Sequence, residues 1–469
     1  MKKEKAMSTH NRRFGLSGDK LYPWLLAAAA ILASATIWMT LHPSSFRTLL
    51  DLRDIQFGKL LYWIPFALTF SFLALRILLA ASYRSIPVKN NTKWPKIAVI
   101  IPAYNEGEQV LPTVRSVMAS DYPASRMQVI CIDDGSKDDT WAWLLQAKRE
   151  FPQRLQLIRQ PMNKGKRQAL LAGFHKADAD VFITIDSDSE VEPNTLRHMV
   201  SPFVAQPKIG AVAGNIRVLN RDEGMIPKMM EVSFATAFDF IRSGQSVFGG
   251  VFCTPGAASA YRASVIRPHL DGWANQTFLG TPATIGEDRA LTNRVLSSGF
   301  RVVYQREAVV WTKVPTTYGG LRRMLLRWAR SNVRESLVLT TFIWKPFRKT
   351  GGTGLIRIFG LLQLLTLTLG EALKIGLALQ LLLNPLSTIT AMLCGGLTTS
   401  IIPAMVHRQR YGGWFGWRWA LPYTLFWLFT LSWISVWALL SASRSGWLTR
   451  SLPTETVPQA DTAHQGIIG

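Results

Sequence analysis

Apolar positions fall in three rhythms along the chain. At both ends they form long runs, of which only 355–383 is broken by an acid, at Glu371, with Lys374 close after it. Residues 21–41, LYPWLLAAAAILASATIWMTL, carry no charge and are long enough to cross a bilayer as a helix. Residues 60–83 form a second such run, interrupted only by Arg76, which sits late enough to snorkel toward an interface. Three more apolar runs, 355–383, 386–406 and 420–440, close the chain. Between them, over 96–315, short apolar stretches alternate with helical patterns: KIAVIIPAY, MQVICIDDGS, LQLIRQ and DVFITIDSDSEV read as strands, while 110–119 and KRQALLAGFHKA read as helices. That alternation predicts an α/β fold with a parallel, doubly wound sheet, in which ligands bind at the carboxyl ends of the strands. The third rhythm begins at Tyr318. Leu321, Met324, Leu325 and Trp328 follow the i, i+3, i+4, i+7 spacing of one helix face, and Arg323, Arg327, Arg330 and Arg334 form a second stripe. An apolar face beside an arginine face predicts a helix lying in a membrane interface.

The chain divides accordingly into a basic tail (1–20), two membrane helices (21–83), an α/β domain (96–315), amphipathic interface helices (316–350), C-terminal membrane helices (355–440) and a final segment (441–469). No convincing small-residue cleavage site follows the first run, so it reads as a retained helix rather than a signal peptide. The basic N-terminus and the segment 84–96, with Lys89, Lys93 and Lys96, place both ends of the first helical hairpin, and the domain after it, on the cytoplasmic side.

Composition adds one decision. The 469 residues are 48% hydrophobic and carry a net charge of +23 from 53 basic and 30 acidic side chains. Such an excess suits nucleic acid, an anionic membrane surface or an anionic substrate. Its clustering around the apolar runs selects the membrane and argues against nucleic acid. Cys131, Cys253 and Cys394 lie far apart, without the spacing of a disulfide framework or a zinc site.

Candidate chemistry gathers at the strand ends. Asp186 and Asp188 flank Ser187 just past an apolar strand, where two carboxylates reach one hard cation, Mg²⁺ or Mn²⁺, that also takes diphosphate oxygens. An isolated D-x-D is more often a solvated turn, but this one falls in register with Asp133 and Asp134 at the end of another strand. Those two suit hydrogen bonding to a base edge, or simply an Asp-Gly turn. The run from Asn163 to Arg167 offers Lys166 and a helix N-terminus to a diphosphate, or forms a solvated basic cap. Glu287 and Asp288 open a helix, so Asp288 is either part of its cap or a general base. Arg327 and Trp328 are interface anchors by default; the functional alternative is a diphosphate contact and a stacking platform for a sugar. Trp447, Thr449 and Arg450, after the last apolar run, read by themselves as anchors too.

Taken together and in order, VIIPAYNE, IDDGSKDDT, NKGKRQAL, ADVFITIDSDSEVEP, FLGTPATIGEDRALTNRVLSSGF and LRWARSNVRES resemble glycosyltransferase family 2, on its processive membrane branch, over about residues 97–336. Within it the chain is most similar to hyaluronan synthases and to the chitin-oligosaccharide synthases of nodulation. The resemblance implies a GT-A-type nucleotide-sugar domain set between transmembrane helices of a bacterial-type cytoplasmic membrane. It implies a metal-dependent, inverting β-glycosyltransferase that polymerises sugars from UDP-sugar donors, UDP-N-acetylglucosamine with or without UDP-glucuronate. The polysaccharide would leave through its own helices. A synthase of another exopolysaccharide, such as a β-glucan, and transfer of a single sugar to a lipid carrier are the alternatives. Residue by residue it implies Asp133, Asp134, Lys166 and Asp186 for the donor, Asp188 with Asp186 for the metal, and Asp288 as base. Glu287, Arg327 and Trp328 would serve the acceptor and diphosphate, and Trp447, Thr449 and Arg450 a gating loop over the nucleotide. Two departures stand out. Met324 replaces the Gln of the Q-x-x-R-W motif and cannot make amide hydrogen bonds, and Leu448 replaces the glycine of W-G-T-R. The topology also conflicts with a gating loop. Two crossings before the domain and three after it put Arg450 on the far side, whereas Arg444 and Arg450 favour a cytoplasmic C-terminus.

Overall fold

The computed structural model describes residues 18–41, 57–89, 93–349 and 351–444. Trp447, Thr449 and Arg450 lie outside the described residues. The strands are β1 (Ile97–Ala103), β2 (Met127–Asp133), β3 (Leu155–Arg159), β4 (Val181–Thr184), β5 (Ser189–Val191), β6 (Ile209–Val218), β7 (Ser259–Arg262), the hairpin β8 (Thr277–Phe278) and β9 (Thr281–Pro282), and β10 (Arg301–Thr312). Eight of them form one sheet in the order β3-β2-β1-β4-β7-β6-β10-β5.

β1 is buried at every position because it lies inside the sheet with helices on both faces. Its side chains alternate between two cores. Ile97, Val99 and Ile101 join the cluster that includes the helices α3 (Val110–Met118), α4 (Thr140–Glu150) and α6 (Thr195–Ala205). Ala98 and Ile100 join the cluster that includes α5 (Lys166–Lys176) and, after α7 (Met225–Phe234) and α8 (Ile241–Val247), α9 (Glu287–Ser297).

The sheet is mixed rather than wholly parallel. β1 to β4 pair in parallel as the alternation predicts, but β7 runs antiparallel to β4 and β6, and β5 antiparallel to β10. The parallel expectation holds for strands joined by a crossover helix packed on the sheet. β5 instead follows the turn holding Asp186 and Asp188, and β7 is reached from α8 through an irregular loop.

Around this domain lie α1 (Tyr22–Leu41), α2 (Phe57–Ser82), α10 (Tyr318–Ile343), α11 (Thr353–Leu383), α12 (Pro385–Tyr411), α13 (Phe415–Phe426) and α14 (Trp433–Leu440). Among the described residues three helices are long and apolar enough to cross a membrane, Asp19–Trp38, Thr353–Leu383 and Pro385–Tyr411. This is a membrane protein. In α2 the described apolar stretch, Phe70–Ser82, is shorter than a span. Glu371 and Lys374 do not break α11. They pair at 2.9 Å and share Ser435 of α14, which satisfies both charges away from water.

The last apolar run is not one straight crossing. Phe415–Leu431 and Trp433–Leu440 meet at a 43° bend, and both halves pack on the domain side. Ser233 of α7 bonds the Tyr423 hydroxyl at 3.0 Å, and Tyr318 donates to the Thr430 carbonyl at 3.0 Å. Arg330 donates to Ser441, and Thr281 of β9 donates to the Ser443 carbonyl, each at 3.0 Å. The chain therefore returns to the α/β domain before Arg444. The C-terminal end of α12 docks there as well: Arg410 lies 3.5 Å from the fully buried Asp239, which also holds Arg306 at 3.1 Å.

Two of the four arginines assigned to the interface stripe of α10 do not face a membrane. Arg330 and Arg334 are 4% and 1% exposed. Periodicity places side chains on a face but does not say what covers it. Here Ser441 covers the first, and Glu335 with the Ile285 carbonyl takes the second.

Candidate active site

β1, β2 and β4 end side by side, with Ala103 in register with Asp133, and so deliver their acidic ends to one edge. Asp133 spends Oδ1 on the Ser136 amide at 2.9 Å and pairs through Oδ2 with Arg159 at 3.4 Å. It builds the turn. Asp134 lines the cleft beyond it. Its two oxygens accept the Lys164 and Gly165 amides at 2.9 and 2.8 Å. Burial raises its carboxyl to about 6 despite these bonds.

Lys166, first residue of α5, reaches across the cleft to Asp186 and to Glu287, the latter at 3.1 Å. Gly256 lets it pass, since a Cβ there would lie 2.7 Å from Nζ. Burial works against the ammonium, but Asp186 and Glu287 outweigh it and hold it charged. Burial likewise opposes the charge on Glu287, yet Lys166 and Arg327 bring its carboxyl down to about 2.

Asp188 accepts from Ser189 at 3.2 Å and Thr312 at 3.3 Å. Its carboxyl is raised to about 6, first by burial and then by Asp186 and Glu106. Among the described residues no three His, Cys, Asp or Glu side chains form a closed metal cage. Crowded carboxylates open to a cleft fit Mg²⁺ or Mn²⁺, which keep waters and take phosphate oxygens from a substrate rather than filling a protein cage.

Asp288 sits in the first turn of α9. Oδ1 accepts the Arg289 amide at 2.7 Å, so the capping role is partly met, while Oδ2 takes the Cys253 thiol at 3.5 Å. Burial first, then Glu287, pushes its carboxyl up. The turn that aims it depends on Gly286, at φ +73°, where a Cβ would meet Ser331 Oγ at 1.9 Å.

Three cavities follow one another through these residues. A cleft of about 330 Å³ is lined by Asp134, Lys166, Asp186, Asp188, Met324 and Arg327. An inner pocket of about 210 Å³ shares five of these and adds Glu287, Asp288 and Trp328. A third cavity of about 440 Å³ shares Trp328, Arg242, Cys253 and Arg289 with it and extends to Gln363 of α11. Trp328 is 37% exposed and lies 6.3 Å from the rings of Phe234 and Phe238.

The sequence reading gave no site role to Cys253, named only for its spacing, or to Glu106, present only as the last residue of VIIPAYNE. It also missed the support beneath α9: Glu335, buried, accepts from Gln276 at 3.1 Å and Asn293 at 3.0 Å.

The family described as Glycosyltransferase like family 2 matches residues 95–331. The hyaluronan synthase of Streptococcus pyogenes serotype M3 is 37% identical over 267 residues, 56% of this chain and 63% of that one, so the match leaves over a third of the synthase uncovered. An N-acetylglucosaminyltransferase of Rhizobium sp. (strain N33) is 30% identical over 372 residues, 78% of this chain and 79% of the relative. Among solved structures, the mannosyltransferase PcManGT of Pyrobaculum calidifontis, in complex with GDP-Man and Mn²⁺, superposes with a TM-score of 0.55 at 19% identity, over 90% of this chain and 100% of that one. The likeness shows the fold, a GT-A-type domain. The chain belongs to glycosyltransferase family 2.

Proposed function

We propose that this glycosyltransferase is a processive, inverting β-polymerase that takes UDP-sugars, UDP-N-acetylglucosamine among them, on the cytoplasmic face and passes its polysaccharide out between its own helices. The observation that carries this is a succession of three cavities, each sharing lining residues with the next, from the Asp134 cleft, past Asp288, to α11. A transferase finishing with one sugar has no need of the third. The names of the Streptococcus and Rhizobium relatives support the class of donor.

In this reading Asp134 faces the base edge and Asp186 with Asp188 would hold the divalent cation. The mannosyltransferase neighbour is in complex with GDP-Man and Mn²⁺. When bound, the cation supplies neutralisation of the departing diphosphate. Lys166 and Arg327 add positive charge on the same side. The acceptor sugar lies on Trp328, and its hydroxyl oxygen attacks C1 of the donor. The C1–O bond to phosphate breaks, UDP leaves with the electron pair, and Asp288 takes the hydroxyl proton. A base needs a carboxylate with an appetite for protons, and the buried position beside Glu287 provides it.

The return of the chain to Thr281 at Ser443 supports a gating role for Trp447, Thr449 and Arg450, which follow closely in sequence. In this reading the final apolar run lies along the domain and does not cross, which agrees with the cytoplasmic C-terminus that Arg444 and Arg450 favour.

Membranes containing the protein, given UDP-sugars and Mg²⁺ or Mn²⁺, test the proposal. Long polymer is the expected product. A single sugar on an extractable lipid would replace the polymerase reading with a lipid-carrier transferase, and absence of UDP release from every donor would sink it.

A further inference from the structure

Asp288 is held by more than the first turn of α9. Its Oδ1 takes the Arg289 amide, and among the described residues the one side chain that hydrogen-bonds the carboxylate is Cys253, whose thiol meets Oδ2 at 3.5 Å. That thiol is itself fixed from several sides. The Cys253 carbonyl accepts Nε of the buried Arg242, from α8, at 3.0 Å. The next residue, Thr254, is fully buried and tied to α9 twice: its amide donates to Thr292 Oγ1 at 3.1 Å, and the two hydroxyls lie 2.9 Å apart. Thr292 in turn donates to the Asp288 carbonyl at 2.8 Å. Tyr261 of β7 closes the chain on the Thr254 hydroxyl at 2.8 Å. The loop that carries the thiol and the turn that carries the acid are therefore one hydrogen-bonded unit, and a satisfied buried network of this kind rigidifies what it holds.

The choice of sulfur has a chemical consequence. A hydrogen bond to a carboxylate favours its charged form and so weakens it as a base. A hydroxyl would do this strongly, whereas a thiol is a weak donor: it can set the direction of the carboxylate and leave it basic. Burial, and then the charge of Asp288, pushes the thiol up to about 12, so it stays protonated and donating. We infer that Cys253 is a positioning residue, whose thiol holds Asp288 in the rotamer that meets the acceptor hydroxyl without quieting it as a base. The inference rests on the reading of Asp288 as that base. Other charges face the same pocket: Glu287 and Arg289 from α9, Lys166 from α5, Arg242 from α8, Arg327 from α10, and Asp186, Asp188 and Lys313 at the strand ends. They are common to the native protein and to variants at position 253, so a comparison between these isolates the thiol.

The test measures UDP release against pH by the full-length protein in membranes, at a saturating mixture of UDP-N-acetylglucosamine and UDP-glucuronate with Mg²⁺. A base must be unprotonated to act, so kcat is lost as pH falls through its pKa, and the acidic limb of kcat reports it. Cys253→Ala removes a donor to the carboxylate and raises that pKa. Its limb should move to higher pH and its plateau kcat should fall several-fold, while KM for the donors stays near its native value. Cys253→Ser supplies a stronger donor: its plateau should recover at least in part, and its limb should move to lower pH. An unmoved limb in Cys253→Ala, with only thermal stability lost, would overturn the inference. If the alanine variant does not fold, a limb at higher pH in Cys253→Ser would overturn it alone. In an Asp288→Asn background, Cys253→Ala should cost no further turnover, because both changes act through one carboxylate; an independent loss would also overturn it. Near-native turnover in Asp288→Asn by itself would instead remove the base reading, and this inference with it.

Discussion

Lys166 Nζ lies 3.1 Å from Glu287 Oε1 while also bonding Asp186, so one ammonium ties the strand-end carboxylate to the residue beside Asp288. Lys166→Met leaves two partly buried carboxylates facing each other without a cation. Breaking a pair of this kind by removing one partner costs about 3–5 kcal/mol, enough to cut affinity for UDP by about one to two orders of magnitude if half is felt in binding. Calorimetry with UDP checks this; an unchanged Kd would mean that Lys166 serves the fold and not the donor.

Asp288→Asn removes the proposed proton acceptor and keeps the shape. Turnover should fall by a factor of about 10² to 10⁴, with the Kd for UDP-sugar unchanged. Asp188→Asn should instead abolish the part of donor binding that depends on Mg²⁺ or Mn²⁺. Equal loss of donor binding in the two variants would show that their roles are not divided as proposed.

Asp134 gives a pH signature. Its carboxyl rises from 3.8 to about 6 in the fold, chiefly by burial. The protonated form is thus favoured by folding: its contribution to stability is complete below 3.8 and is lost as pH rises through about 6. Donor recognition runs the other way, because only the carboxylate offers all its lone pairs to a base N–H. KM for the UDP-sugar should be flat above pH 6 and climb below it, and Asp134→Asn should flatten that limb. A profile identical in the variant would clear Asp134 of the base contact.

Arg334 is a positioning residue. It bonds the Ile285 carbonyl just before the Gly286 turn and pairs with Glu335 at 3.2 Å. Arg334→Met should lower kcat by about tenfold or more by loosening a turn that must be held to a fraction of an ångström, while KM for the donor stays near its native value. Arg334→Lys should not restore it, since an ammonium lacks the fork that reaches both groups. A fall in thermal stability alone, with kcat intact, would make the residue merely structural.

The strand-end acids and their neighbours were legible because motif order and sheet topology carry the same information: Asp134, Asp186 and Asp188 must meet wherever β1, β2 and β4 end together. Asp133 was not separable from Asp134, since only the turn geometry shows which carboxylate the Ser136 amide occupies. Arg330 and Arg334 were misplaced because an i, i+3, i+4 pattern records a face and not its cover. Likewise the last apolar run has the length of a crossing, and only its contacts with Tyr318, Arg330 and Thr281 reveal that it folds back. Met324 was noticed as a departure, and its buried place on the wall common to the first two cavities explains why a change there matters.

That common wall has an evolutionary corollary. Lys166, Asp186, Asp188, Met324 and Arg327 each face both the cleft and the inner pocket. In the proposed mechanism a substitution at any of them is felt by donor and acceptor at once, so its effect depends on what already occupies the others. These positions form an epistatic block. Descendants that exchange one sugar for another have open routes only outside it: at Asn163, which faces the cleft alone, or at Trp328, which faces the inner pocket and the cavity beyond.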